Sequence, residues 1–145
     1  VRMVRALPVL FILLGLGLNW RWVDMSQSDG YALFAGEMMS ETAPNSMIVA
    51  SWSSAVVLEY YQVVEGQRPD LIIFNRSRFR TAKYYELWRR GVARDTILAE
   101  IDSEEVELID QYIKERTMYA VEYDPVLAQK FEYLPEGLAF KLAAQ

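Results

Sequence analysis

Neither cysteine nor histidine occurs among the 145 residues. Without them there is no disulfide framework, no Cys- or His-ligated zinc site, and no Ser-His-Asp or Cys-His nucleophile. A cysteine-free chain neither needs an oxidising compartment nor avoids one, so location has to be read elsewhere. Also missing are a G-x-G-x-x-G turn after the first predicted strand and a Walker A loop. A dinucleotide or nucleoside triphosphate therefore has no dedicated cradle, and no cofactor is expected. Basic residues are outnumbered, 15 Lys and Arg against 20 Asp and Glu, for a formal net charge of −5. General nucleic-acid binding does not fit that balance.

What is present is apolar bulk. The chain is 52% hydrophobic and 13% aromatic, enough for one well-buried core and too short for two ordinary domains. Ala6 to Leu18 carries no charge, with Arg2 and Arg5 before it and Asn19, Trp20, Arg21 and Trp22 after it. This predicts a transmembrane segment over 1–22. The run falls short of the roughly 20 residues a spanning helix needs unless the arginines snorkel. A signal-peptide hydrophobic region or a buried core helix are the other readings, although no small-residue cleavage pattern follows Leu18. Tryptophans at one end and arginines at the other suit an interfacial belt and a cytoplasmic flank, which puts residues 23–145 on the extracytoplasmic side of the cell membrane. The first residue is Val rather than Met, so further protein is expected upstream.

Beyond residue 23 the pattern alternates between helix and strand. Ser26 and Asp29 resemble a capping box opening a helix to Thr42. Met47 to Trp52 is a short apolar run, followed by a helix capped at Ser53 or Ser54, running through Val64 and stopped by Gly66. Leu71 to Asn75 is apolar on both faces, as a parallel strand covered on both sides would be. Thr81 to Arg90 predicts the next helix, closed by Gly91, and Thr96 to Ile101 a weaker third strand. Asp102 with Glu105 at N3 opens a helix carrying Val106, Ile109, Tyr112 and Ile113. Met118 to Tyr123 reads as a fourth strand, Asp124 to Lys130 as a short helix, and Phe131 to Leu134 with Leu138 to Leu142 as a terminal hairpin. The expected fold is α/β, a three-layer Rossmann-like sandwich with a mainly parallel sheet and a C-terminal hairpin.

Ligands of open parallel sheets bind beyond the carboxyl ends of the strands. That rim holds Trp52, Ser53 and Ser54, then Asn75, Arg76, Ser77 and Arg78, then Tyr123 and Asp124. Arg76, Arg78 and Arg80 alternate, so an extended loop would aim all three at one phosphate or anionic headgroup. Trp52, Ser53, Asn75, Arg76, Arg78 and Arg80 are the candidate ligand-binding residues. The competing reading pairs these arginines with Glu100, Asp102 or Glu104 on a solvated surface. The acids from Asp102 to Asp110 fit helix capping better than a cation site. Tyr60, Tyr61, Tyr84, Tyr85 and Trp88 lie at core-like helical spacing. Ser53 with Asp124 would make a hydrolase only with a base that is not there.

In order, VDMSQSDGYALFAGEMM, ETAPNSMIVASW, LEYYQVVEGQRPDLIIFNRS, YYELW and FEYLPEGLAFKL resemble the C-terminal soluble region of a bacterial membrane-protein family similar to protein O-mannosyltransferases, in the glycosyltransferase C superfamily. The resemblance covers nearly the whole chain, and its strongest piece is the helix end at Glu65 and Gly66 leading through Arg68, Pro69 and Asp70 into a strand. It implies sugar transfer from a lipid-phosphate donor by carboxylates in upstream membrane loops, none of which is in this chain. Ser51, Trp52 and Ser53 stand where the family often has an acidic Gly-Asp-like loop. The implied role is a non-catalytic extracytoplasmic domain, with membrane lipid, a lipid-linked sugar and the parent protein's remaining membrane helices as partners. A membrane-anchored module binding a small anionic or sugar ligand is the alternative.

Overall fold

The computed structural model describes residues 11–15, 17–18 and 29–145. The chain divides into two units, Val1–Tyr31 and Ala32–Gln145. In the first, residues 11–15 and 17–18 are helical, and Phe11, Ile12, Leu13, Leu14 and Leu18 are exposed. Most of the predicted segment 1–22 lies outside the described residues. Among the described residues no helix is long and apolar enough to cross a membrane.

From Gly30 the elements run α1 (Gly30–Glu41), β1 (Met47–Ala50), α2 (Trp52–Val63), β2 (Ile72–Asn75), α3 (Arg76–Arg89), α4 (Arg94–Tyr112) and β3 (Met118–Ala120). A 3-10 turn at Leu127–Gln129 precedes β4 (Phe131–Glu136) and β5 (Ala139–Ala144). They build a mixed α/β fold around a five-stranded sheet of order β2-β1-β3-β5-β4. β2, β1 and β3 are parallel, and the C-terminal hairpin joins β3 in antiparallel sense through β5.

The central strand β1 is buried at every residue, which is why its sequence reads as a continuous apolar run. Alternation sends Ile48 and Ala50 toward Met38 and Met39 of α1 and Ala55 and Leu58 of α2. Met47 and Val49 join Ile109 of α4, Met118, Leu127, Phe131 and Leu142. A third cluster, Leu87, Ile97 and Ile101, binds α3 to α4. Burying each such Leu or Ile contributes about 1.5–3 kcal/mol before entropy is counted. Gly66 and Gly91, with φ of +67° and +78°, follow α2 and α3 in the left-handed conformation that ends helices.

The structure corrects the reading in two places. Thr96 to Ile101 is not a strand but the first part of α4, a 19-residue helix. Ile97, Ile101, Glu105 and Ile109 are its buried positions, four apart throughout, so one stripe runs through the supposed start at Asp102. Likewise α3 begins at Arg76 directly after β2, where Asn75 Oδ1 accepts the Arg78 N–H at 3.0 Å. Arg76, Arg78 and Arg80 are therefore helical rather than extended. At about 100° per residue Arg76 and Arg80 share a face, and Arg78 points the other way. Smaller differences shorten the first strand to Met47–Ala50, bring Trp52 into α2, and reduce the helix after Asp124 to a single 3-10 turn.

Helical periodicity in α4 makes a sharp prediction. Ile101→Ala should destabilise the protein by about 2–5 kcal/mol in urea melts, because a fully buried side chain leaves a cavity. Leu98→Ala, at a position 51% exposed, should stay within about 0.5 kcal/mol. Comparable losses at both positions would speak for the two-sided burial of a strand.

Candidate functional site

The chain leaves β1 for β2 on one side and later returns to β3 on the other. Connections therefore diverge at β1, and the crevice beyond the carboxyl ends of β1 and β3 is where such a sheet can hold a ligand. Its occupant is Glu122, two residues past β3. Ser51, the residue preceding α2, donates its N–H to Glu122 Oε2 at 3.1 Å and its Oγ–H to Oε1 at 2.9 Å, and Ser54 donates its hydroxyl to Oε1 at 2.8 Å. The carboxylate thus lies at the positive end of the α2 dipole, in the position an anionic ligand would take. Beside it the Trp52 N–H donates to Ser77 Oγ at 3.1 Å, linking the starts of α2 and α3.

Over the first turn of α3 the rim becomes an ion-pair lattice. Arg76 grips Glu105 with Nε and Nη2, the latter at 3.0 Å, and reaches Asp124 Oδ2 with Nη1 at 2.9 Å. Arg80 Nη1 lies 2.7 Å from both Glu105 Oε2 and Asp102 Oδ1. Glu105 is completely buried, a position that carboxylates occupy only when paired. Asp124 also accepts the N–H groups of Val126 and Leu127 at 2.8 and 3.0 Å, which sets the 3-10 turn. Burial would raise the Asp124 carboxyl, but those N–H groups and the Arg76 guanidinium outweigh it and hold it below the usual carboxylate range. For Arg76, burial opposes the charge, yet Glu105 and Asp124 prevail and keep the guanidinium more basic than ordinary arginine.

The Arg68-Pro69-Asp70 element lies at the amino end of β2, away from this rim. Arg68 donates from Nη1 to the Met39 and Thr42 carbonyls and from Nη2 to that of Ala43 at 3.1 Å, closing the carboxyl end of α1. Asp70 receives Arg68 on both oxygens, at 2.9 and 3.0 Å, and the Asn45 N–H at 2.9 Å. The Arg68 hydrogen bond, followed by the Asn45 N–H, holds the Asp70 carboxyl below the usual range. Arg68 keeps a positive φ of 45°, a conformation its five hydrogen bonds secure against the intrinsic preference of a non-glycine residue.

Of the candidate residues, Asn75 and Arg76 lie at the β2–α3 junction, and Trp52 and Ser53 are exposed in the first turn of α2, Trp52 at 60%. Arg80 joins Arg76 on Glu105, while Arg78 pairs with Glu59 at 2.9 Å on the other side of α3. Asp124 is engaged by Arg76 rather than by Ser53. Glu105, expected as the N3 residue of a capping box, instead lies buried in the middle of α4, and Glu122 was not singled out by the sequence. For Glu105 the signal was an acid standing in step with Ile97, Ile101 and Ile109. For Glu122 there was none, since its importance comes from a crevice that only the sheet order creates. Among the described residues no cluster of acids is arranged to hold a metal ion. The chain matches no protein-family profile, no curated protein and no solved structure.

Glu105→Ala should cost about 3–5 kcal/mol in chemical denaturation, because it removes the buried acid that two partly buried guanidiniums share. Acid should also weaken the fold. Asp70 and Asp124 titrate lower in the folded than in the unfolded chain, so between the two values the unfolded chain binds more protons. Their contribution is complete above about pH 4 and is lost as the pH falls through the folded values. Urea midpoints at pH 7 and pH 3 should fall less for Asp70→Asn than for the parent chain, and an equal fall would mean that Asp70 does not carry the effect.

Proposed function

We propose that this chain is a non-catalytic extracytoplasmic domain of a glycosyltransferase-like integral membrane protein, similar to protein O-mannosyltransferases, with a three-layer Rossmann-like arrangement that helps to position a lipid-linked sugar donor or its acceptor. The observation carrying this reading is that the carboxyl edge is engaged with itself. Glu122 takes the anion position at the α2 N-terminus, and Arg76 and Arg80 are held by Glu105, Asp102 and Asp124. Acids outnumber arginines within this lattice, so a phosphate brought there would meet a negative field. Groups arranged in this way fix geometry; they do not activate a nucleophile, which would need a base within hydrogen-bond reach. The hydrophobic start with its arginine and tryptophan flanks supplies the membrane half of the reading.

Two measurements test it. Alkaline phosphatase fused after Gln145 in a bacterial host should be active, as an extracytoplasmic position requires. The 145-residue chain alone should transfer no sugar from a polyprenyl-phosphate donor to a peptide. An inactive fusion, or transfer abolished by Glu122→Gln, would overturn the proposal.

One observation favours a sugar-binding module as the second reading. Trp52 and Tyr123, 60% and 62% exposed, each adjoin a partner of the Ser51–Glu122 hydrogen bond, and exposed rings beside a carboxylate suit a sugar's apolar face and hydroxyls. Saturable tryptophan quenching by a monosaccharide, lost in Trp52→Ala, would move the assignment there.

A further inference from the structure

The fold divides the basic stretch between Arg76 and Arg94 into two parts. Arg76, Arg78, Arg80 and Lys83 are held by acids, Lys83 by Glu104 at 2.8 Å. Arg90 keeps only a long contact of 3.7 Å to Glu86. Arg89 and Arg94, on either side of the α3–α4 turn, are exposed and have no ion-pair partner among the described residues. The same end of the helix pair exposes large apolar side chains: Tyr85 at 54%, Trp88 at 61% and Leu98 at 51%. Tyr85 and Trp88 lie three apart on α3 and so share a face. A groove of about 330 Å³ beside Tyr85 is lined by Arg80, Thr81, Tyr84, Tyr85, Leu98 and Ile101.

Charge decides what can cover this end, where Arg89, Arg90 and Arg94 outnumber the exposed acids Glu86 and Asp95. Unpaired guanidiniums beside a tryptophan and a tyrosine ask for a partner that is anionic outside and apolar just beneath, which describes the headgroup boundary of a bilayer. Phosphates there can accept paired N–H groups from arginine, and amphipathic rings settle at headgroup depth with N–H and O–H wet. With a net charge of −5, the rest of the surface is repelled by an anionic leaflet, so attraction at the turn would also orient the domain. We propose that the α3–α4 turn, with Arg89 and Arg94 flanking Tyr85, Trp88 and Leu98, docks on a bilayer surface containing anionic phospholipid. This rests on the membrane half of the function proposed above and names the lipid class involved.

The absence of cysteine makes the test clean. Ala99→Cys, beside Leu98, and Glu132→Cys, on the exposed side of β4, each accept a single environment-sensitive fluorophore in the full chain. The labelled proteins are added to phosphatidylcholine vesicles with and without phosphatidylglycerol, and bromolipid quenching reads the depth of each label. Because the N-terminal segment can itself reach the vesicle, the readout is the difference between labels rather than binding as such. Quenching is expected at position 99 on anionic vesicles, weaker on neutral ones and absent at position 132. Arg89→Ala with Arg94→Ala should lower the docked-to-undocked ratio on the order of 30-fold, since each arginine at an anionic surface is worth roughly fivefold. The Arg89→Lys, Arg94→Lys pair should keep most of it, which separates charge from misfolding. Equal quenching at both labels, indifference to the arginines, or shielding of position 99 that rises with protein concentration without vesicles would each overturn the proposal. The last outcome would assign the patch to a second copy. None of them touches the tethered-domain reading, because these vesicles carry no sugar donor.

Discussion

A carboxylate with no access to water organises the second half of this domain. Glu105 cannot stay charged in an apolar interior without compensation, and two arginines from the neighbouring helix supply it. That demand fixes the rotation of α3, because only residues one turn apart can converge on one acid. It also sets the register of α4 against α3, where Ile97 and Ile101 meet Leu87. Arg76 then carries the constraint to Asp124, whose second oxygen shapes the turn leading into the hairpin. Apolar residues of the same size would pack there at lower cost but without that directionality, and a unique arrangement of two helices and a turn is what the ionic solution provides.

Glu122 plays a comparable part at the other end of the rim. The start of α2 has unpaired N–H groups and a partial positive charge that some anion must meet. Here the chain meets it from within, and the two serines convert an electrostatic preference into defined geometry. Sheet edge and helix start are joined across a gap of 71 residues in sequence, so the crevice is braced rather than vacant.

What could be read in advance followed the locality of the cause. β1 is legible because a strand buried on both faces shows it within a few residues, and the hairpin because two apolar runs flank Gly137. Gly66 and Gly91 marked helix ends for the same reason. β2 carries the same apolar run but lies at the sheet edge with Ile72 37% exposed, so the expectation that it is covered on both sides does not hold. Thr96 to Ile101 misled because a short run with β-branched residues also fits a strand, and Asp102 with Glu105 imitates a cap. Only the continuing four-residue step to Ile109 distinguishes the two. The alternating arginines suggest an extended loop only if the helix is started at Thr81; Asn75, a favoured N-cap residue, is the local sign that it starts at the next residue. Of their partners, Asp102 is one of the acids the sequence offers and does pair with Arg80, whereas Glu59, Glu105 and Asp124 are set by tertiary contact.

The hairpin also determines how the sheet ends. β4 is an edge strand, and Pro135, which has no N–H to offer, sits between Glu132 and Glu136 along it. A strand arriving from another molecule would find a missing donor and two negative charges, both of which discourage edge-to-edge pairing. The opposite edge, β2, offers only four residues. A sheet blunted at one margin and short at the other resists templated growth through its edges.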